Sequence, residues 1–149
     1  MYYQAITAHE EEGKMNLDEI KLFKSELKIL PVLERQYQIA IQDIAYIEYQ
    51  MQGVRAIDPS KEPMHSDFVE MKNILIPIKD IKVRRAEEYK ARIDQCYSIL
   101  DQCPEQLKSY LVDIYVKGRP TYEVAEEHYL SESSLRRFII AELLNVATQ

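Results

Sequence analysis

Residues 120–139 read PTYEVAEEHYLSESSLRRFI, and this stretch has the spacing of two short helices joined by a tight turn. Two helices that cross closely need a small side chain at the crossing, and Ala125 is placed to supply it. Thr121 and Ser131 are placed to cap the first and the second helix, because side-chain hydroxyls accept hydrogen bonds from free backbone N–H groups there. Leu135 then falls on the buried face of the second helix. The stretch therefore predicts a helix-turn-helix.

The side chains left facing outward on the first two turns of the second helix are polar or charged: Glu132, Ser133, Arg136 and Arg137. Short hydroxyl and guanidinium side chains at the start of an exposed helix suit base edges and phosphates in a DNA major groove. The same residues also suit a solvated surface with local ion pairs between Glu132 and the arginines. Both interpretations stay open at the level of sequence.

A third short helix is predicted immediately before this motif, from Glu105 to Val116. Lys117 and Gly118 would close it, with Gly118 as a left-handed C-terminal cap. Residues 104–149 are therefore predicted to form one three-helix module.

Two heptad-like apolar stripes precede the module. The residues of the first stripe are Leu33, Tyr37, Ala40, Ile44, Ile47 and Met51, and those of the second are Ala86, Tyr89, Ile93, Cys96, Leu100 and Cys103. Alternating steps of three and four place each stripe on one face of a helix. The stripes predict a helical hairpin within the chain or coiled-coil pairing between chains, and the sequence does not choose between them. Asn16 and Glu19 have the spacing of a capping box at the start of the first helix.

Glycine and proline positions predict where the long helices end. Pro31 is expected to kink or break the N-terminal helix, and Gly53 to end the helix that follows it. Residues 53–66 are then expected to form a loop, with Asp67 capping the next helix. Pro77 is expected to interrupt that helix in turn.

The predicted fold class is all-α. The chain of 149 residues contains only three glycines, which argues against a multi-stranded sheet with its tight turns. We expect residues 1–103 to form a helical hairpin or coiled-coil-like stalk that serves oligomerisation, and residues 104–149 to form the helix-turn-helix module.

The composition argues against catalysis and against a membrane span. No Gly-rich phosphate loop, nucleophile elbow or metal-ligand spacing is present, so we expect no enzyme activity, no cofactor and no metal. No apolar run approaches the roughly 20 residues needed to cross a bilayer, and a cytoplasmic location is expected. Cys96 and Cys103 are too far apart on one helix for a disulfide and are expected to be reduced core residues.

The stretch from about Glu105 to Val146 resembles the helix-turn-helix of sigma-factor region 4. The residues that carry the resemblance are a preceding helix that ends at Gly118, then TYEVAE at 121–126 and LSESSLRR at 130–137. The layout of the whole chain also resembles phage late transcriptional regulators of the ArpU and RinA type. That layout is a helical N-terminal part, a proline-containing loop, a long helix and then this module.

The resemblance implies a sequence-specific transcriptional regulator of phage or prophage origin that binds double-stranded DNA. The helix starting at Glu132 would enter the major groove, and the matching recognition positions are Ser133, Ser134, Arg136 and Arg137. RNA polymerase is a further expected partner, and a homo-oligomer, either a dimer or larger, is expected. The alternatives are a helical protein-interaction adaptor and a phage DNA-packaging accessory protein.

Two features depart from the resemblance. Tyr129 stands where such turns usually carry glycine, which predicts a looser turn or a tyrosine with positive φ. Residues 104–149 also carry five Lys or Arg against seven Asp or Glu, whereas DNA affinity rests mainly on phosphate neutralisation. Lys117 and Arg119 beside the motif, the basic segment from Lys79 to Arg92, or dimerisation are expected to supply the missing positive charge.

Overall fold

The computed structural model describes residues 13–55 and 62–147, and the predicted all-α fold class is confirmed. Within these described residues, two long helices are followed by three short ones: α1 (Leu17–Arg55), α2 (Glu62–Gln102), α3 (Glu105–Leu111), α4 (Thr121–Glu127) and α5 (Glu132–Leu144). A π-helical segment (Val112–Val116) continues α3 to the predicted end at Val116.

A capping box opens α1, as the sequence predicts. The backbone N–H of Glu19 donates to Oδ1 of Asn16 at 2.9 Å, and the backbone N–H of Asn16 donates to Oε1 of Glu19 at 3.3 Å. Two N–H groups that have no partner within the helix are satisfied in this way. The start of α1 is therefore fixed by local hydrogen bonds.

At Pro31 the sequence predicts a kink or a break, and the break is wrong, as is the interruption predicted at Pro77, because α1 and α2 each run through their proline. A proline inside a helix removes one backbone hydrogen bond and costs about 3 kcal/mol. Leu27, Leu30 and Leu33 around Pro31 are all buried, and burying one leucine side chain contributes about 1.5–3 kcal/mol. Burial on one face of the helix thus outweighs the local penalty.

The segment between the long helices is shorter than predicted. α1 continues past Gly53 to Arg55, and α2 begins at Glu62, so Asp67 lies inside α2 and does not cap it. Of the predicted loop at residues 53–66, residues 56–61 lie outside the described residues.

Residues 13–31 and 92–147 form one compact unit, here called the core unit. Its apolar cluster joins side chains from α1 to those of the three short helices, including Phe23, Leu27, Leu107, Leu111, Val124, Leu135, Ile139 and Leu143. The backbone N–H of Met15 donates to the carbonyl of Val146 at 3.2 Å and ties the segment before α1 to the segment after α5. The predicted boundary at 103/104 does not separate compact units, because the start of α1 and the end of α2 share this core.

Residues 32–91 form the second compact unit, here called the long-helix unit. The residues of the first predicted stripe, from Leu33 to Met51, are buried or half-buried, and Ala86 of the second stripe is buried. Ion pairs join α1 to α2 within this unit, from Nζ of Lys82 to Oδ2 of Asp43 and from Nζ of Lys79 to Oε1 of Glu48, both at 3.2 Å. α1 thus packs against α2 within one chain, as the hairpin interpretation predicts, and coiled-coil pairing between chains stays a prediction.

Cys96 and Cys103 are buried free thiols, as predicted. Sγ of Cys103 donates to the carbonyl of Ile99 at 3.2 Å. Burial raises the pKa of the Cys103 thiol to about 11, so this group stays protonated and unreactive at neutral pH.

Two residues with positive φ shape the connections between the short helices. Gly118 has φ +72° after the π-helical segment, which confirms its predicted left-handed conformation. Tyr129, in the turn between α4 and α5, has φ +58°, which is the second of the two alternatives predicted for this turn. The tyrosine side chain is 97% exposed, so little packing compensates the backbone strain.

Substitution of these two residues should have opposite effects on stability. In the left-handed region a residue with a Cβ atom lowers the free energy of unfolding by about 1–2 kcal/mol. Glycine lowers it by about 0.5–1 kcal/mol, because its unfolded state is more flexible. We expect Tyr129→Gly to raise the free energy of unfolding by about 0.5–1 kcal/mol. We expect Gly118→Ala to lower it by about 1 kcal/mol, although the added Cβ atom would have no other atom within 4 Å. Urea unfolding followed by circular dichroism measures both. A destabilised Tyr129→Gly variant would contradict the assignment of strain.

Candidate nucleic-acid interface

The crossing of α4 and α5 has the small and apolar side chains that the sequence predicts. Ala125 is 1% exposed, and Leu135 is fully buried in the same apolar cluster. The carbonyl of Ala125 accepts hydrogen bonds from the backbone N–H groups of His128 at 3.1 Å and Leu130 at 2.9 Å, which closes the turn. The ring of Tyr110 packs edge to face on the ring of His128, the residue that follows α4, at a centroid distance of 4.9 Å.

Ser131 caps α5, whereas Thr121 does not cap α4. Oγ of Ser131 accepts from the backbone N–H of Ser134 at 3.2 Å. Thr121 is the first residue of α4, and Pro120 holds the cap position without a side-chain hydrogen bond. Proline with its fixed φ is pre-organised for helix entry, so the hydroxyl at position 121 is not needed there.

The predicted recognition residues fall into two groups. Ser133, Arg136 and Arg137 are exposed, while Ser134 is half-buried. Ser134 also binds Ser131 through its hydroxyl at 2.8 Å, so its side chain belongs to the cap. Three of the four predicted residues therefore project outward from the first two turns of α5.

The two arginines of α5 are held by weak local contacts. Nη2 of Arg136 donates to Oε1 of Glu132 one turn earlier at 2.6 Å, and Nε of Arg137 donates to the carbonyl of Ser133 at 3.4 Å. An exposed pair one turn apart on a helix contributes only about 0.3–0.5 kcal/mol. Both guanidinium groups can therefore exchange these partners for a ligand at small cost.

Lys117 and Arg119, predicted to add phosphate contacts, differ in how far they are neutralised. Lys117 is exposed, and its Nζ lies 3.5 Å from Oδ1 of Asp113. Arg119 pairs with Asp113, Glu123 and Glu127. The hydrogen bonds that Arg119 donates to Glu127 and then to Glu123 raise the pKa of Arg119, and the bond to Glu127 lowers the pKa of that carboxyl group. Arg119 is thus a structural link across the turn before α4, a role that sequence reasoning missed.

The structure places two lysines of α1 beside Tyr115, in the π-helical segment that continues α3, which sequence reasoning also missed. Nζ of Lys24 and Nζ of Lys28 lie 5.7 Å and 5.9 Å from the centroid of the same ring, that of Tyr115. The pKa of Lys24 is lowered by burial and then by the charges of Lys28 and Arg136. Burial raises the pKa of Tyr115, and the charge of Arg136 opposes that shift. Lys24, Lys28 and Arg136 together are here called the cationic cluster.

The basic segment from Lys79 to Arg92 is largely engaged. Lys79 and Lys82 pair with carboxylates of the long-helix unit, as described above. In the core unit, Arg92 binds both carboxylate oxygens of Glu26, at 3.1 and 2.8 Å. Arg84 and Arg85 are exposed. This segment therefore offers less free positive charge than its composition indicates.

Metal clusters and membrane-spanning helices are two further features to consider in the described part of the chain. Among residues 13–55 and 62–147, no group of three or more His, Cys, Asp or Glu side chains could hold a metal ion. None of the helices there has a stretch of sufficient length and hydropathy to cross a membrane.

Removal of the Ser131 hydroxyl should show how much this cap contributes to the stability of the fold. Ser131→Ala removes the hydroxyl that satisfies a backbone N–H of α5, and we expect a loss of about 1 kcal/mol in the free energy of unfolding. Ser133→Ala is the matched control, because Ser133 is exposed and its hydroxyl is not the cap acceptor; we expect a change below about 0.5 kcal/mol. Thermal unfolding of both variants tests this assignment, and equal losses would argue against it.

Comparison of the chain with protein-family models, with curated proteins and with solved structures finds no significant match. The functional assignment therefore rests on the residues and their geometry.

Proposed function

We propose that this chain is a non-catalytic, sequence-specific DNA-binding transcriptional regulator of phage or prophage type, acting in the cytoplasm. In this proposal α5 enters the major groove of double-stranded DNA, and RNA polymerase is a second partner. The observation that carries it is the outward projection of Ser133, Arg136 and Arg137 from the start of a helix whose opposite face is buried.

The chemistry of these side chains fits base recognition. A guanidinium can donate two parallel hydrogen bonds to O6 and N7 of guanine, and a serine hydroxyl can donate or accept at several base edges. Leu135, Ile139 and Leu143 anchor the other face of α5 in the core. Because the helix is already fixed in this way, little conformational entropy is lost when its outer side chains bind a ligand.

DNA binding is tested with a duplex that the protein selects from a random-sequence library. We expect affinity for this duplex to fall steeply as salt rises, because phosphate contacts release counterions. Arg137→Ala should weaken binding to the selected duplex by about 5- to 150-fold, equivalent to about 1–3 kcal/mol for one base contact, with unchanged helicity. Lys108→Ala is the control, since it removes an equal charge from α3, where Lys108 pairs with Asp101.

Two results would contradict the proposal. Equal affinity of the unmodified protein for selected and random duplexes would show that its binding is not sequence-specific. Failure to bind any duplex would favour the protein-interaction adaptor, for which the long-helix unit offers exposed apolar side chains.

We also propose that the protein self-associates through an apolar stripe on α2. Met71, Ile74, Ile78 and Ile81 are spaced by steps of three and four and are 40–62% exposed, so they form a second face besides the one packed within the long-helix unit. A stripe with this period fits another helix with the same stripe, and a second copy of the chain supplies one. Helix-turn-helix proteins commonly bind paired half-sites as dimers.

Light scattering tests self-association. We expect the unmodified protein to have at least twice the mass of one chain, and Ile74→Lys/Ile78→Lys to have the mass of a monomer with unchanged helicity. Glu87→Lys/Glu88→Lys, which alters exposed polar positions of the same helix, should keep the larger mass. A monomeric unmodified protein would contradict the proposal.

A further inference from the structure

The cationic cluster carries three positive charges, and Glu132, which pairs with Arg136, is the one carboxylate that contacts it in the described part of the chain. Lys24 and Lys28 lie one turn apart on α1 and approach the same tyrosine ring. Neither lysine forms an ion pair with a carboxylate in the described part of the chain, whereas Arg119 alone engages three. Like charges one turn apart on a helix destabilise it slightly. The fold therefore keeps this arrangement at a small cost in stability.

The position of the cluster relates it to the proposed recognition helix. Arg136 projects from the first two turns of α5, and its charge acts on both Lys24 and Tyr115. Tyr115, which both lysines approach, lies in the segment that continues α3, and Tyr110 of α3 packs edge to face on Phe138 of α5 at a centroid distance of 5.8 Å. The two lysines are thus linked to α5 through α3. Because the pKa of Tyr115 is raised, its phenol stays neutral and adds no negative charge to the cluster.

A phosphate is the ligand that best matches this chemistry. Lysine ammonium groups bind phosphate as point charges from variable directions, and arginine adds a planar pair of donors. The negative charge of a phosphate would relieve the repulsion among the three cations. The contact of Arg136 with Glu132 is exposed and weak, so the guanidinium can turn to a phosphate oxygen.

We propose that Lys24, Lys28 and Arg136 form a phosphate clamp that holds the DNA backbone next to the groove entered by α5. This inference rests on the proposed function and deepens it, because it assigns part of the DNA-binding surface to the N-terminal helix. It also accounts for the acidic balance of residues 104–149. The positive charge that the module lacks comes from α1, which packs in the same core.

The test measures how the dissociation constant depends on salt, with the selected duplex and a random-sequence duplex as the two probes. Each lost phosphate contact lowers the slope of log affinity against log salt by about one. We expect Lys24→Gln/Lys28→Gln to lower the slope by about two and to weaken binding to both duplexes by the same factor. Lys28→Gln alone, at an exposed position, should lower the slope by about one.

Two matched variants control for charge and for folding. Lys24→Arg/Lys28→Arg keeps the positive charge and should keep the slope. Lys14→Gln removes one exposed charge next to Ala147, beyond the far end of α5, and should leave the slope unchanged. Circular dichroism should show equal helicity for all variants.

The outcomes separate this inference from the proposed function. If the unmodified protein binds DNA and Lys24→Gln/Lys28→Gln keeps its salt slope, the phosphate clamp is wrong and the recognition helix stands. Loss of affinity for the selected duplex only would also overturn the clamp, because backbone contacts do not discriminate sequence. If the unmodified protein binds no duplex, both proposals fall.

Discussion

Burial of the apolar face of α1 in one cluster with the three short helices is the interaction on which the rest of the structure depends. Short helices such as α3 and α4 are not stable in isolation, because they form too few hydrogen bonds to offset the unfavourable free energy of helix nucleation. Phe23, Leu27 and Leu30 of α1 share their core and remove a large apolar area from water. The orientation of α5, and therefore of its outward side chains, is set by a core to which the distant start of the chain contributes.

The features that the sequence predicted correctly depend on interactions between near neighbours. The cap at Ser131, the capping box of Asn16 and Glu19 and the left-handed Gly118 each follow from a few adjacent residues. Such local rules need no knowledge of the fold. The period of the apolar stripes is equally local, and it predicted which faces of the long helices are buried.

The features that the sequence did not predict depend on contacts between distant residues. Pro31 and Pro77 carry a strong local signal for a helix end, but burial of neighbouring leucines keeps α1 continuous. Lys24 and Lys28 show no feature in sequence that places them beside Arg136, because only the shared core brings α1 to α5. Arg119 was expected to serve a ligand, and its three carboxylate partners became visible only once the turn before α4 was folded.

The assembly of the core unit from both ends of the described chain also bears on how the protein is made. Leu27 and Leu135 belong to one cluster but are separated by most of the chain. During synthesis on the ribosome, the apolar face of α1 emerges long before α5 exists to cover it. Contacts of such high sequence separation slow folding and leave apolar surface open in the meantime. The apolar face of α1 therefore stays uncovered until α5 has been translated.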